Sequence, residues 1–268
     1  MNSDPLICYL GDDDASRAAA YLCGIMTRYG LSFTRVDSGA SPKEDFLTQS
    51  YALYVLSDYP AKNLSQEQMT HIVRRVQEDG AGLLMLGGWE SYYGRLGEYH
   101  NSPLAQILPV LMASQDDRRN YPCPVFLKPT VEEHPVLNDL PWQTAPSVGG
   151  FNAFEAKSNA TVLLQGYRSQ ITWTNAVTTV GATCQSQDLC VNLLAPVPFL
   201  AVDQVGSGRV AAFASDVAPH WIGGMVDWGT PRIFQELPSS LGDGLFVEIG
   251  CHYAQFFAQL LQWTAGLR

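Results

Sequence analysis

Apolar and polar positions alternate along the first ninety residues in a way that predicts repeated strand and helix units. "LICYL" (6–10) is an apolar run of strand length that stops at "GDDD". In "ASRAAAYLCGIMTRYG", Leu22, Ile25, Met26 and Tyr29 recur at helical spacing, and the pattern ends at Gly30. "FTRV" and "YALYVLS" supply two further strands. "LSQEQMTHIVRRVQEDG" opens with Ser65 and Gln68 at capping-box spacing, carries Met69, Ile72, Val73 and Val76 as an apolar stripe, and ends at Gly80. His71 falls off that stripe and reads as a solvent-exposed helical histidine. "GLLML" then returns to strand.

Strand, helix, strand at this spacing predicts a parallel sheet with right-handed crossovers, whose ligand site lies beyond the carboxyl ends of its strands. Three such ends carry polar or glycine turns: Gly11-Asp12-Asp13, Ser57-Asp58-Tyr59 and Gly87-Gly88-Trp89. Between about 101 and 160 eight prolines argue against long helices and central strands, so this stretch is expected to be an irregular excursion over the sheet within one domain spanning 1–268. "ATVLLQG", "VPFLAVDQ" and "GRVAAFASD" restore the strand signal, with a glycine hairpin between the last two. "GLFVEIGCHYAQFFAQLLQWTAG" reads as one long helix with Leu245, Ile249, Phe256 and Leu260 toward the core.

Composition narrows the function classes. A net charge of -10 with no basic patch disfavours nucleic acid and anionic membrane surfaces, and no apolar run reaches the ~20 residues of a membrane span. A cytoplasmic protein is expected. The six cysteines lack paired metal-ligand spacing; only Cys184 and Cys190 lie near each other. No cofactor and no resident metal is assigned.

Two strand ends carry candidate chemistry. The turn after "LLML" has the outline of a nucleophile elbow, a strand, a tight G-x-Nuc-x-G turn and a helix, with Gly87, Gly88, Trp89, Glu90 and Ser91 in its five places. An indole cannot serve as the nucleophile of acyl transfer, so the turn would shape a pocket instead. In "ASDVAPHW", Asp216 and His220 could orient a general base or supply two ligands to a metal; the alternative is a turn-capping Asp and a histidine tucked under Pro219. Glu248 and His252, four apart, would share one face of the last helix, where His252, following Leu245 and Ile249 on the apolar stripe, reads as a hydrogen-bonded core histidine. Tyr92, Tyr93, Arg95, Tyr99 and His100 crowd after the glycine turn and suit a sugar ring or a small anion, or equally a loop folded onto the core.

The order "GLLMLGGWESYYGRLGEYHNSPLAQILPV", "EEHPVLNDLPW" and "VGSGRVAAFASDVAPHW" resembles an uncharacterised bacterial family of the class I glutamine amidotransferase-like superfamily, related to ThuA-like domains. The resemblance implies a flavodoxin-like α/β fold of three layers, a parallel sheet with helices on both faces. It places the family's catalytic Cys on Trp89 and its triad histidine at or near His220. The glutamate two residues after that histidine has no counterpart, because position 222 is Ile. Glutamine hydrolysis is therefore not expected. The leading expectation is a small polar or sugar-derived ligand bound by Asp12, Asp58, Gly87, Gly88, Trp89, Glu90, Ser91, Tyr93 and Arg95, with Asp216 and His220 beside it. The alternatives are a hydrolase or isomerase using Asp216 and His220, with or without a metal, and a non-catalytic oligomerisation module, for which exposed Trp221 and Trp228 would supply an interface, although burial explains both residues equally well.

Overall fold

The computed structural model describes residues 5–173 and 189–268; Cys184 lies outside them. The chain runs β1 (Leu6–Gly11), α1 (Ala18–Arg28), β2 (Ser32–Val36), β3 (Leu53–Ser57), α2 (Gln66–Asp79), β4 (Gly82–Leu86), α3 (Pro103–Ile107), β5 (Val110–Met112), β6 (Arg118–Pro129), β7 (Ser147–Asn152), β8 (Phe154–Ala156) and β9 (Thr161–Trp173). It continues with β10 (Leu189–Leu193), β11 (Val197–Val205), β12 (Gly208–Phe213), α4 (Pro219–Ile222), β13 (Arg232–Glu236), β14 (Phe246–Gly250) and α5 (Cys251–Thr264).

One large sheet organises these elements, in the order β2-β1-β3-β4-β12-β11-β9-β6-β7, with β10 on β9. Its first five strands are parallel, in register Tyr9↔Val55, Val55↔Leu84 and Ala211↔Leu84. This is the flavodoxin-like order, and β3 and β4 are buried at every residue, as strands covered on both faces must be. Helices α1 and α5 pack together on one side, and α2 packs against α3 on the other. Helix α2 begins with the capping box foreseen at Ser65 and Gln68 and ends at Gly80 in the left-handed conformation, φ 77°. The hairpin at Gly206 joins β11 and β12 as the glycines indicate.

Three expectations are corrected. The Pro-rich stretch is not an irregular cover: it contributes β6 and β7 to the sheet, which continues beyond β12 in antiparallel fashion. Strand β6 pairs with β9 only from Val125 onward, and its pairing with β7 breaks between Asn120 and Val125. Pro122 and Pro124 fall in that break, where no ladder bond asks for their missing N–H. The C-terminal apolar run is a strand and then a helix: β14 pairs antiparallel with β13, and α5 starts only at Cys251. Leu245 and Ile249 thus do not share a helical face with Phe256 and Leu260. Finally, His71 is half-buried, its ring 6.2 Å from that of Phe46.

Candidate functional site

Strands β1, β3, β4 and β12 are neighbours, so the residues just past their carboxyl ends converge on one edge. Asp12 follows β1, Asp58 follows β3, the Gly87-Gly88-Trp89 turn follows β4, and Asp216 follows β12. Asp12 and Asp58 straddle the point where the strand order reverses, the place at which open α/β sheets take ligands. Both have positive φ, 50° and 45°, a conformation that costs a residue with a Cβ free energy unless its surroundings hold it there.

Each aspartate is held from several sides. Asp12 is buried; its N–H donates to Ser57 O at 3.0 Å, its carbonyl accepts from Arg35 Nη2 at 2.6 Å, and its Oδ2 accepts from the Tyr9 hydroxyl. Burial pushes the Asp12 carboxyl up to about 7. The Asp58 carboxyl also lies well above the usual carboxylate range, first through burial and then through the charges of Asp12 and Asp216. Asp58 Oδ1 accepts from Glu90 N at 2.8 Å, and its own N–H donates to Ser91 Oγ at 3.1 Å. Asp216, 1% exposed, caps the following turn, its Oδ1 accepting from Ala218 N at 3.0 Å. Its Oδ2 lies 2.9 Å from His220 Nε2. Burial raises the Asp216 carboxyl, and the Asp216 carboxylate raises the imidazole. Of the two alternatives weighed for this pair, Asp216 does cap the turn, but His220 keeps a half-exposed side chain rather than a packed one.

Asp12, Asp13, Ala18, Ser38, Asp58, Trp89, Glu90, Arg95, Leu96 and His220 line a cavity of about 450 Å³. Trp89 is 42% exposed, and the guanidinium of Arg118 lies 4.7 Å from its ring centroid. Arg118 is itself fixed by two hydrogen bonds to the Asp116 carboxylate, at 2.9 and 2.7 Å. Of the expected ligand-binding residues, Asp12, Asp58, Trp89, Glu90 and Arg95 face this cavity together with His220.

Others are placed elsewhere. Gly87 is buried and donates to Ser215 O, and Gly88 has φ 153° with the Asp58 carboxylate where a Cβ would stand. Ser91 is buried and serves the Asp58 backbone. Tyr93 packs at a tilt against His100, with ring centroids 5.1 Å apart, outside the cavity lining. Tyr92 and Tyr99 are fully buried. The elbow outline is not realised either: Trp89 has no positive φ, and the residues after it form turns instead of a helix. Glu248 and His252 do not share a helix: Glu248 sits in β14 and pairs with Arg232 at 3.0 Å, while His252 opens α5 against Trp228. None of the described cysteines lines the cavity. Trp221 and Trp228 are 2% and 8% exposed, so burial within the chain accounts for both.

Sequence reading missed the residues that hold the Trp89 loop. Asn152, at the end of β7, accepts from Gly88 N at 2.8 Å and donates to Gly88 O and to Asp117 Oδ1. Asp117 accepts from the N–H groups of Tyr93 and Gly94 at 3.1 and 3.0 Å. The signal was faint: an Asp and an Asn inside a Pro-rich stretch, far in sequence from the turn they serve.

Residues 53–170 match a family described as "putative glutamine amidotransferase", which bears out the resemblance seen in the sequence. Two Salmonella typhimurium proteins described as cytoplasmic share the fold over nearly their whole length. One is 21% identical, with a TM-score of 0.67, covering 97% of this chain and 99% of the other. The second is 20% identical, with a TM-score of 0.65, covering 96% and 98%. A ThuA-like protein from Parabacteroides merdae is 12% identical with a TM-score of 0.57, covering 98% of this chain and 90% of its own. At such identities the likeness establishes the fold alone. No curated protein matches the chain significantly. Among the described residues, no helix is long and apolar enough to cross a membrane.

Proposed function

We propose that this chain is a cytoplasmic glutamine amidotransferase-like protein that binds a small, uncharged, polyhydroxylated ligand, sugar-derived in character, without thiol-dependent glutamine hydrolysis. The observation that carries this reading is the lining of one cavity by Trp89, four acidic residues (Asp12, Asp13, Asp58 and Glu90), Arg95 and His220. Carboxylates accept hydrogen bonds from hydroxyls in fixed directions, and an indole offers an apolar plane to a sugar ring; together they fix orientation in a small pocket. Anions suit the site less, because only Arg95 and, when protonated, His220 oppose the acids among its lining residues.

The test is calorimetric titration of the full chain with a panel of neutral monosaccharides and polyols, alongside a glutaminase assay. At least one neutral member is expected to bind, and Trp89→Ala to weaken that binding about tenfold, roughly 1.4 kcal/mol. Ammonia release from glutamine would overturn the reading, as would binding confined to anionic members of the panel.

The 2.9 Å approach of His220 Nε2 to Asp216 Oδ2 favours a second reading, in which this pair moves a proton at the bound ligand as in a hydrolase or isomerase. Loss of turnover in His220→Gln with ligand affinity retained is the outcome that distinguishes it from binding alone.

A further inference from the structure

Asp58, Asp216 and His220 each present one ligand atom, and the three atoms lie within 4.8 Å of one another. A cluster of acids is common on protein surfaces, but one feature of this one is not: Asp216 is 1% exposed and its Oδ2 has no aligned hydrogen-bond donor, although His220 Nε2 stands 2.9 Å away. The His220 imidazole gives that oxygen a charge partner when protonated but no aligned hydrogen bond, so part of the cost of its burial is left uncompensated. A cation at a point shared by Oδ2 and Nε2 would give Oδ2 the close partner that the imidazole alone does not.

The distances fit that point. Cis ligands at about 2.1 Å from an octahedral cation stand about 3.0 Å apart, and trans ligands about 4.2 Å. The 2.9 Å pair matches the first, and the 4.8 Å limit requires only a small inward movement for the third. The charge balance points the same way. Asp12, Asp58 and Asp216 stand just past the ends of β1, β3 and β12, so three acids crowd one sheet edge with a single imidazole among them.

We infer that Asp58, Asp216 and His220 form a binding site for one divalent first-row transition cation, of the Mn²⁺ or Zn²⁺ class, at the rim of the cavity. An imidazole in the donor set favours these ions over Mg²⁺ and Ca²⁺, which prefer oxygen alone. With three protein ligands, the remaining positions are open to adjacent hydroxyl groups of a ligand. The inference deepens the reading of the cavity as a polyol site and rests on it for that last point only. When the cation is bound, Asp216 and His220 position it, and the proton-transfer reading describes the cation-free pair.

The experiment uses the full untagged chain, stripped with a chelator and titrated with Mn²⁺ and, separately, Zn²⁺. Calorimetry and the Mn²⁺ electron paramagnetic resonance signal follow binding, and thermal unfolding follows stability. One equivalent is expected to bind, with a raised melting temperature. His220→Ala is expected to weaken binding at least tenfold, and Asp58→Asn to do the same. His220 is half-exposed, so its variant keeps the fold, which circular dichroism verifies. No saturable binding of either ion, or unchanged affinity in His220→Ala, overturns the inference. Repeating the polyol titration in chelator separates the two claims. Polyol binding without cation binding removes only the cation site; one bound cation without polyol binding removes only the polyol reading.

Discussion

Asp12 holds its carboxyl group at the cavity wall with only 3% of the residue exposed, so water solvates its charge poorly, and the surrounding groups divide over it. Burial pushes it up from 3.8 to about 7; the hydrogen bond of Tyr9 and the charge of Arg35 pull down, while the charge of Asp216 pushes up. A carboxyl with a folded-state pKa above its unfolded value binds its proton more tightly when folded. Its contribution to stability is therefore complete below about pH 4 and is lost as the pH rises through about 7. At about 1.4 kcal/mol per pKa unit, the loss is at most about 4 kcal/mol. Denaturant unfolding between pH 4 and 7.5 is expected to show a steeper decline for the wild type than for Asp12→Asn, whose side chain does not ionise. Parallel pH profiles would contradict this. Asp12 was legible in the sequence as a polar residue on a strand-end turn; its left-handed backbone and its buried state were not, because both depend on Arg35 and Ser57 arriving from β2 and β3.

At the scale of elements, the loop from Gly88 to Gly97 owes its shape to three residues outside its own strand. Asp58 holds its start and Asp117 its middle, and buried Asn152 links Gly88 to Asp117. Asn152→Ala removes three hydrogen bonds at a buried position and leaves Gly88 N and Asp117 Oδ1 short of a partner. A stability loss of about 2–3 kcal/mol is expected. Hydrogen exchange gives the sharper check: the amides of Tyr93 and Gly94, bound to Asp117, should exchange faster in the variant while those of β1 and β3 change only with global stability. The α2 capping box shows the opposite case. Ser65 and Gln68 are three residues apart and close a local ring, so the sequence suffices to predict it. The C-terminal segment lies between these cases. "FVEIG" is short and apolar enough for either structure, and antiparallel pairing with β13 decided for strand.

For the whole molecule, the net charge of -10 and the acids around the cavity act together on anything that approaches. A sugar acid is expected to bind more weakly than its neutral parent at low ionic strength. The gap should narrow as salt rises from about 0.02 to 0.5 M, where the screening length shrinks to a few ångströms. Equal salt dependence of the two affinities would show that this field does not reach the site. The architecture divides along the same line as its legibility. Alternating strand and helix patterns, each encoded within a dozen residues, determined the strand-helix units β1-α1-β2 and β3-α2-β4 of a parallel sheet and the turns that end its strands, and hence Asp12, Asp58, Trp89 and Asp216 as residues at strand ends. Tertiary structure alone decided the strand order, the place of β6 and β7 in the sheet, where Pro122 and Pro124 are tolerated because the ladder breaks at them, and the tether from Asn152 to Gly88, sixty-four residues away. The reason is physical: periodicity reports which face a residue turns to the core. Which strand it pairs with, and which buried polar group finds a partner, are settled only when distant segments compete for the same hydrogen bonds and the same space.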